Sequence, residues 1–258
     1  MVHKFICRKC GQCCSHIQGF ISQKDNEFLE EYAFGKLPLI SLTPVKKTSF
    51  PLWDFEAKRF LKKAKDKRID SKIKPSKIIF DLNENKTIIV AYSIDSDSCT
   101  FLKEGRCMIY EDRAFICRKF PFQHTPFLDT GEEKRKEDMF GSCPSITELL
   151  KDLNVEDKNE SSKYLSAAFG AGFEAAVEHD IITEWVNKKI IELMKGKILR
   201  PALNYPYSFL LRRIETSLKI DFTDLLVEKS IYTRSNMDEI IRGFESCEEA
   251  KTQIGNLK

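Results

Sequence analysis

Four cysteines occupy eight consecutive positions within "FICRKCGQCCSHI" (5–17): Cys7, Cys10, Cys13 and Cys14, spaced C-x2-C-x2-C-C. An isolated cysteine usually behaves as a small buried hydrophobe, but core packing does not select this spacing. Metal chemistry does. A C-x2-C step lets two thiolates converge on one ion while the backbone N–H groups between them point at sulfur. Three thiols at this spacing also match the run that holds three corners of a [4Fe–4S] cluster, with a distant cysteine as the fourth. The vicinal pair adds a constraint, because neighbouring side chains diverge by about 100° on a helix and point to opposite sides of a strand. Cys13 and Cys14 are therefore expected to serve different partners.

Distant partners are available. Cys99 and Cys107 flank a turn at Gly105, Cys117 follows a short helical turn in "IYEDRAFICRKFPF" (109–122), and Cys143 directly precedes Pro144. Eight thiols divide into two sets of four, or into one four-cysteine centre with spare thiols. Arg8, Lys9, Arg106, Arg118 and Lys119 stand beside them. Such cations lower thiol pKa and offset the negative charge of a four-thiolate site. Disulfides are the competing use of the same thiols. On the metal reading, Cys7, Cys10 and Cys13 form the core of one site. Cys14, Cys99, Cys107, Cys117 and Cys143 supply its fourth ligand and any second site. Cys247, the ninth cysteine, stands alone and reads as a buried hydrophobe. His16 and His124 are substitute ligands at most, and His3 and His179 receive no role. Tyr110, Arg113 and Arg118 are candidates to hydrogen-bond the cluster sulfurs or an anionic substrate. The preferred reading gives this stretch a structural role, with Arg113 paired to Glu111 or Asp112 and Phe120 and Phe122 roofing the centre against water.

The ordered series "CRKCGQCC", "CTFLKEGRCMIYEDRAFICRKFPF" and "SCPS" resembles the CxxCxxCC cysteine-cluster family, the YkgJ-like proteins described as zinc- or iron-chelating, over residues 5–145. Members usually carry Arg-Pro after the Tyr-Glu element, whereas here Arg113 is followed by Ala114. The flagellin lysine N-methylases are distantly similar, with a comparable series ending in Cys-Pro. That likeness implies iron over zinc, and an iron–sulfur cluster as the cofactor with zinc as the alternative. It also implies a second function, cluster-dependent methyl transfer to protein lysines. The family resemblance supplies a ligand set rather than an activity.

The rest of the chain sets the frame. Residues 145–258 carry 16 Lys and Arg against 19 Asp and Glu, and residues 1–144 hold the other 26 against 20. With eight cysteines in the first 143 residues, this contrast divides the chain into a cysteine-cluster domain, 1–150, and a helical domain, 151–258. The periodicity predicts helices over 22–35 and 54–68, the latter with Phe60, Leu61 and Ala64 as its apolar face. The β-rich runs "KIIFDL" and "KTIIVAYSI", separated by Asn83-Glu84-Asn85, predict a hairpin. No proline interrupts 145–200, where helical spacing recurs, and two or three more helices are expected beyond Pro201 and Pro206. The expected fold class is α+β: a cysteine-rich metal-binding domain with a small β-hairpin or sheet, then an all-helical C-terminal domain. The N-terminus lacks a signal-peptide pattern and no apolar run is long enough for a membrane span, so the expected location is cytoplasmic.

One further surface raises a third function. Residues 46–77 hold 12 Lys and Arg against 4 Asp and Glu, interleaved with Phe50, Trp53, Phe55 and Phe60. That pattern suits a nucleic-acid backbone with stacked bases. A solvated helix face is the preferred explanation. Nucleotide-binding glycine loops, H-E-x-x-H and G-x-S-x-G are all absent from the sequence. No particular partner is indicated.

Overall fold

The computed structural model describes residues 3–18, 27, 35–44, 47, 49–123, 125, 140–141, 143–147, 149–151, 153 and 157–256. The helix expected over 22–35, His124 and the charged stretch 129–138 fall largely or wholly outside them. The fold is mixed α+β: an N-terminal antiparallel sheet region with helices, then a mainly helical C-terminal part. Two compact units are present, each discontinuous in sequence. Unit 1 comprises 1–13, 105–187 and 239–258, and unit 2 comprises 14–104 and 188–238.

In the N-terminal part, the one-turn helix α1 (Gln12–Ser15) precedes β1 (Ile40–Ser41), β2 (Pro51–Trp53) and helix α2 (Asp54–Asp66). Strands β3 (Ile73–Asp81), β4 (Lys86–Ile94), β5 (Leu102–Lys103) and β6 (Arg106–Cys107) follow, and then α3 (Phe115–Arg118). The later helices are α4 (Lys158–Phe169), α5 (Ala171–Lys195) and α6 (Tyr207–Thr216). Strand β7 (Leu218–Asp221), α7 (Phe222–Glu228), α8 (Arg234–Ser246) and α9 (Glu248–Gly255) complete the chain. The C-terminal part thus adds one strand to its helices. No helix among the described residues is long and apolar enough to cross a membrane.

Unit 2 is built on the β3–β4 hairpin, at the position the sequence predicts. Its turn is held by Asp81, whose carboxylate accepts the Asn83 and Glu84 N–H groups at 3.2 Å, and Asn85 takes the left-handed conformation at φ 54°. β1 pairs with the outer edge of β3, and the other edge of β4 is shared. β2 runs antiparallel along Ala91–Ser93, and β7 runs parallel along Lys86–Ile89. Ile78, Phe80 and Ile89 share one face of the sheet and pack with Ile40, Leu210 and Ile214, so α6 covers that side. α2 packs against β2, β4 and α7. Its buried face is Phe55, Ala57, Phe60 and Ala64, whereas Leu61 is 43% exposed. The helix is rotated from the predicted face because Phe60 docks edge-on against Phe101, ring centroids 5.3 Å apart.

Unit 1 has an aromatic core. Phe122 packs against Phe140, Phe169 and Phe173, with centroids 4.8–5.6 Å apart, and Phe5 stacks on Phe169 at 5.0 Å. Asp157 caps α4 by accepting the Asn159 and Glu160 N–H groups at 2.8 Å. What reads in sequence as one long helical run is broken at Gly170, at φ 51° and ψ −123°, a conformation that glycine adopts without a Cβ clash. The break separates α4 from α5. Along these two helices Ala168, Ala175 and Ala176 are buried, while Ala171 is exposed.

Candidate metal centre

The first three cysteines lie on a segment shaped by two left-handed residues, Lys9 at φ 53° and Gly11 at φ 72°. This curl lets the Lys9 N–H donate to the Cys7 sulfur at 3.4 Å, the amide-to-sulfur contact of a C-x2-C knuckle. α1 then carries Cys13 and Cys14 on successive helical positions, as divergence of the vicinal pair requires. The boundary between the compact units falls between them: Cys13 closes the first segment of unit 1 and Cys14 opens unit 2. Cys7 and Cys10 are exposed, and Cys13 is half-buried.

Tyr110 supports this segment within unit 1. Burial pushes its phenol pKa up and the neighbouring Cys7 adds to this, against the opposing pull of Arg113. The Lys9 ammonium stands 4.5 Å from the Tyr110 ring centroid and the Arg113 guanidinium 3.8 Å. Arg113 also donates to the Tyr110 carbonyl at 2.8 Å. Both cations therefore share the face of one aromatic ring beside the first cysteine.

Cys117 sits on α3, one turn long and anchored by the buried Phe115, with its N–H on the Ala114 carbonyl at 3.0 Å. Its neighbour Arg118 reaches the C-terminal helices, donating to the Glu245 carbonyl at 3.2 Å and to the Cys247 sulfur at 3.1 Å. Cys247 is 1% exposed and burial raises its thiol pKa, which suits an inert packing residue. The sulfur that Arg118 meets is that of the isolated ninth cysteine and not one of the clustered thiols for which it was a candidate. Cys143 opens a turn closed by the Ile146 N–H on its carbonyl, and Cys107 lies in β6 after the left-handed Gly105. Phe122, a proposed roof, belongs to the aromatic core of unit 1.

In unit 2, Cys99 donates its N–H to the Cys14 carbonyl at 2.8 Å. His16 lies beside this pair, its Nδ1 3.0 Å from Asp97 Oδ2, and its side chain is 83% exposed.

Sequence reading missed two polar clusters in unit 1. Lys119 is buried, with its pKa lowered by burial. It donates to the Gln123 carbonyl at 3.0 Å and lies 3.4 Å from His179 Nδ1, while Thr125 donates to Asp180 at 2.7 Å. Glu178 is fully buried, with Oε2 accepting the Ala250 N–H at 2.9 Å and Oε1 without a partner. A charged residue inside an otherwise apolar helical run was the available signal for both.

The base stacking that is the less favoured reading of the basic segment 46–77 meets a structural objection. Phe55 and Phe60 are core residues, and Lys58 is committed to Asp221 and Asp224 at 3.1 and 2.7 Å. Lys62 and Lys65 remain on a solvated face of α2.

Eight thiols are soft donors suited to zinc or to iron with sulfide, so the donor set fits either group. Among the described residues, no three Cys, His, Asp or Glu side chains already converge as a ready-made ligand shell. Binding energy from a metal is what draws mutually repelling thiolates together in sites of this kind.

Fold and site together describe an α+β protein whose distinctive feature is an ordered series of eight cysteines. Residues 6–145, more than half of the chain, match the CxxCxxCC family, described as a putative zinc- or iron-chelating domain, and the chain belongs to that family. No curated protein and no solved structure gives a significant match.

Proposed function

We propose that this chain holds iron as an iron–sulfur cluster of the [4Fe–4S] type. Its ligands are Cys7, Cys10 and Cys13, with the fourth drawn from Cys107, Cys117 and Cys143, all six residues belonging to unit 1. The observation that carries the reading is the C-x2-C-x2-C segment, with its Lys9 amide directed at the Cys7 sulfur. A bound cluster would supply one-electron chemistry or a rigid structural cross-link. The protein's own residues supply the rest. Tyr110 stands beside Cys7 and gathers Lys9 and Arg113 on its ring, where the two cations offset cluster charge, and the Phe122–Phe169–Phe173 core gives unit 1 a packed apolar support.

Anaerobic purification of the full chain, followed by assay of iron, acid-labile sulfide and zinc per chain with an absorbance spectrum, tests this. Iron with matching sulfide and a broad visible absorption is the expected result. Zinc without sulfide would replace the cluster with a structural zinc site on the same thiols, and neither metal would reject chelation.

A further inference from the structure

We propose that Cys14 and Cys99 form a thiol–disulfide site of their own, distinct from the chelating cysteines. The inference goes beyond the cluster reading and rests on it only for the use of the other thiols. Unit 2 contains these two cysteines and no third. Two thiolates are half of a four-ligand shell, but they are all that a disulfide needs.

The geometry is already close. The Cys99 N–H bonds to the Cys14 carbonyl at 2.8 Å. With standard backbone lengths, that bond caps the Cα–Cα separation at about 6.7 Å, within the roughly 4.4–6.8 Å that disulfides span. The pairing is fastened on its flank as well. Ile17 donates its N–H to the Asp97 carbonyl at 2.6 Å, and Asp97 holds His16 Nδ1 at 3.0 Å through its carboxylate. Ser98 also donates its hydroxyl to the Cys14 carbonyl at 3.4 Å. These contacts hold 14–17 against 97–99 and keep the two backbones within disulfide range. Both cysteines are half-buried rather than sealed in the core.

A peroxide is the oxidant this chemistry takes. One thiolate attacks a peroxide oxygen and breaks the O–O bond, giving a sulfenic acid and hydroxide. The second thiolate attacks the sulfenic sulfur, forms the S–S bond and expels hydroxide. Protons from the two thiols turn both hydroxides into water, and the two electrons lost by the sulfurs have passed to the peroxide.

The test uses the full metal-loaded chain, treated with hydrogen peroxide, blocked with an alkylating agent, digested without reductant and mapped by fragmentation mass spectrometry. The expected product is a linked peptide pair joining Cys14 to Cys99, dissolved by reductant. The C14S/C99S double variant should lose that pair while keeping the wild-type metal content. Cross-links from Cys99 to other cysteines, or no cross-link at Cys99, overturn the inference. Loss of metal from the double variant alone would overturn it too, by making these residues ligands, and would leave chelation standing. A wild type without metal would count against chelation, while the peptide map would still decide the disulfide.

Discussion

The Asp54 carboxylate accepts both the backbone N–H and the hydroxyl of Thr223, at 2.7 and 2.6 Å. β2 runs directly into α2 and β7 directly into α7, and both strands lie along the same edge of β4. The two helices therefore start side by side, and Asp54 ties the first turn of one to the first turn of the other. An aspartate at a helix N-terminus is favoured by the helix dipole and by unpaired N–H groups. This one is also buried, and desolvation pushes its pKa up to about 6 despite the two bonds from Thr223.

Because the folded-state pKa lies above the unfolded value, folding is favoured while Asp54 is protonated, and that contribution is lost as pH rises through about 6. D54N keeps an oxygen for the Thr223 bonds and removes the charge. Relative to wild type, its unfolding free energy should rise between about pH 4 and pH 8, by at most about 3 kcal/mol. Parallel denaturant titrations at several pH values check this, and a pH-independent difference would show that Asp54 does not titrate in this window.

Glu178 follows the same sign on a higher range. Burial pushes its pKa up to about 7, partly opposed by the Ala250 N–H. Its stabilising protonated form is lost as pH rises through about 7. E178Q should therefore gain thermal stability over wild type near pH 8.5 and show little or no gain near pH 5. Melting curves at both pH values decide it.

The rotated face of α2 separates two neighbouring residues. F60A removes a ring that is 2% exposed and should destabilise by about 3–5 kcal/mol, whereas L61A, on the half-open side, should stay within about 1 kcal/mol. Equal losses in chemical denaturation would mean that Leu61 belongs to the core after all.

Gly170 tests the break between α4 and α5. A Cβ there meets no atom within 4 Å, so G170A probes backbone strain alone. At its positive φ the cost should be about 1–3 kcal/mol, read as a drop in the denaturation midpoint. A neutral effect would mean that the two helices can merge.

Metal removal should destabilise the fold at its cysteine-rich end. A chelator applied to the loaded protein, or the C10S variant, is expected to raise amide exchange in 5–15 and 105–118 while leaving β3 and β4 protected. Unchanged exchange after verified metal loss would place the structural role of the centre elsewhere.

Features governed by neighbours in sequence were legible. The β3–β4 hairpin follows from two β-branched runs around Asn83-Glu84-Asn85, and α2 follows from its 3.6-residue period. The knuckle at Cys7 follows from cysteines three apart with a glycine between the second and third. The placement of Phe60 rather than Leu61 in the core was not legible, because both satisfy the same period and only the position of Phe101 chooses. Strand β7 was hidden for a related reason. "LKID" is four residues long and mostly charged or half-exposed, and it becomes a strand because the free edge of β4 offers its backbone a ladder.

By itself, the sequence determined the cysteine series, the family, the hairpin and the helical character of the C-terminal part, since each is written in spacings of a few residues. Only the tertiary structure decided that Asp54 meets Thr223, that Arg118 meets Cys247, and that the Cys14 backbone lies beside that of Cys99. Those pairs are separated by 169, 129 and 85 positions along the chain. Residues so far apart meet only when burial of apolar surface folds the chain between them, and no local pattern records that outcome.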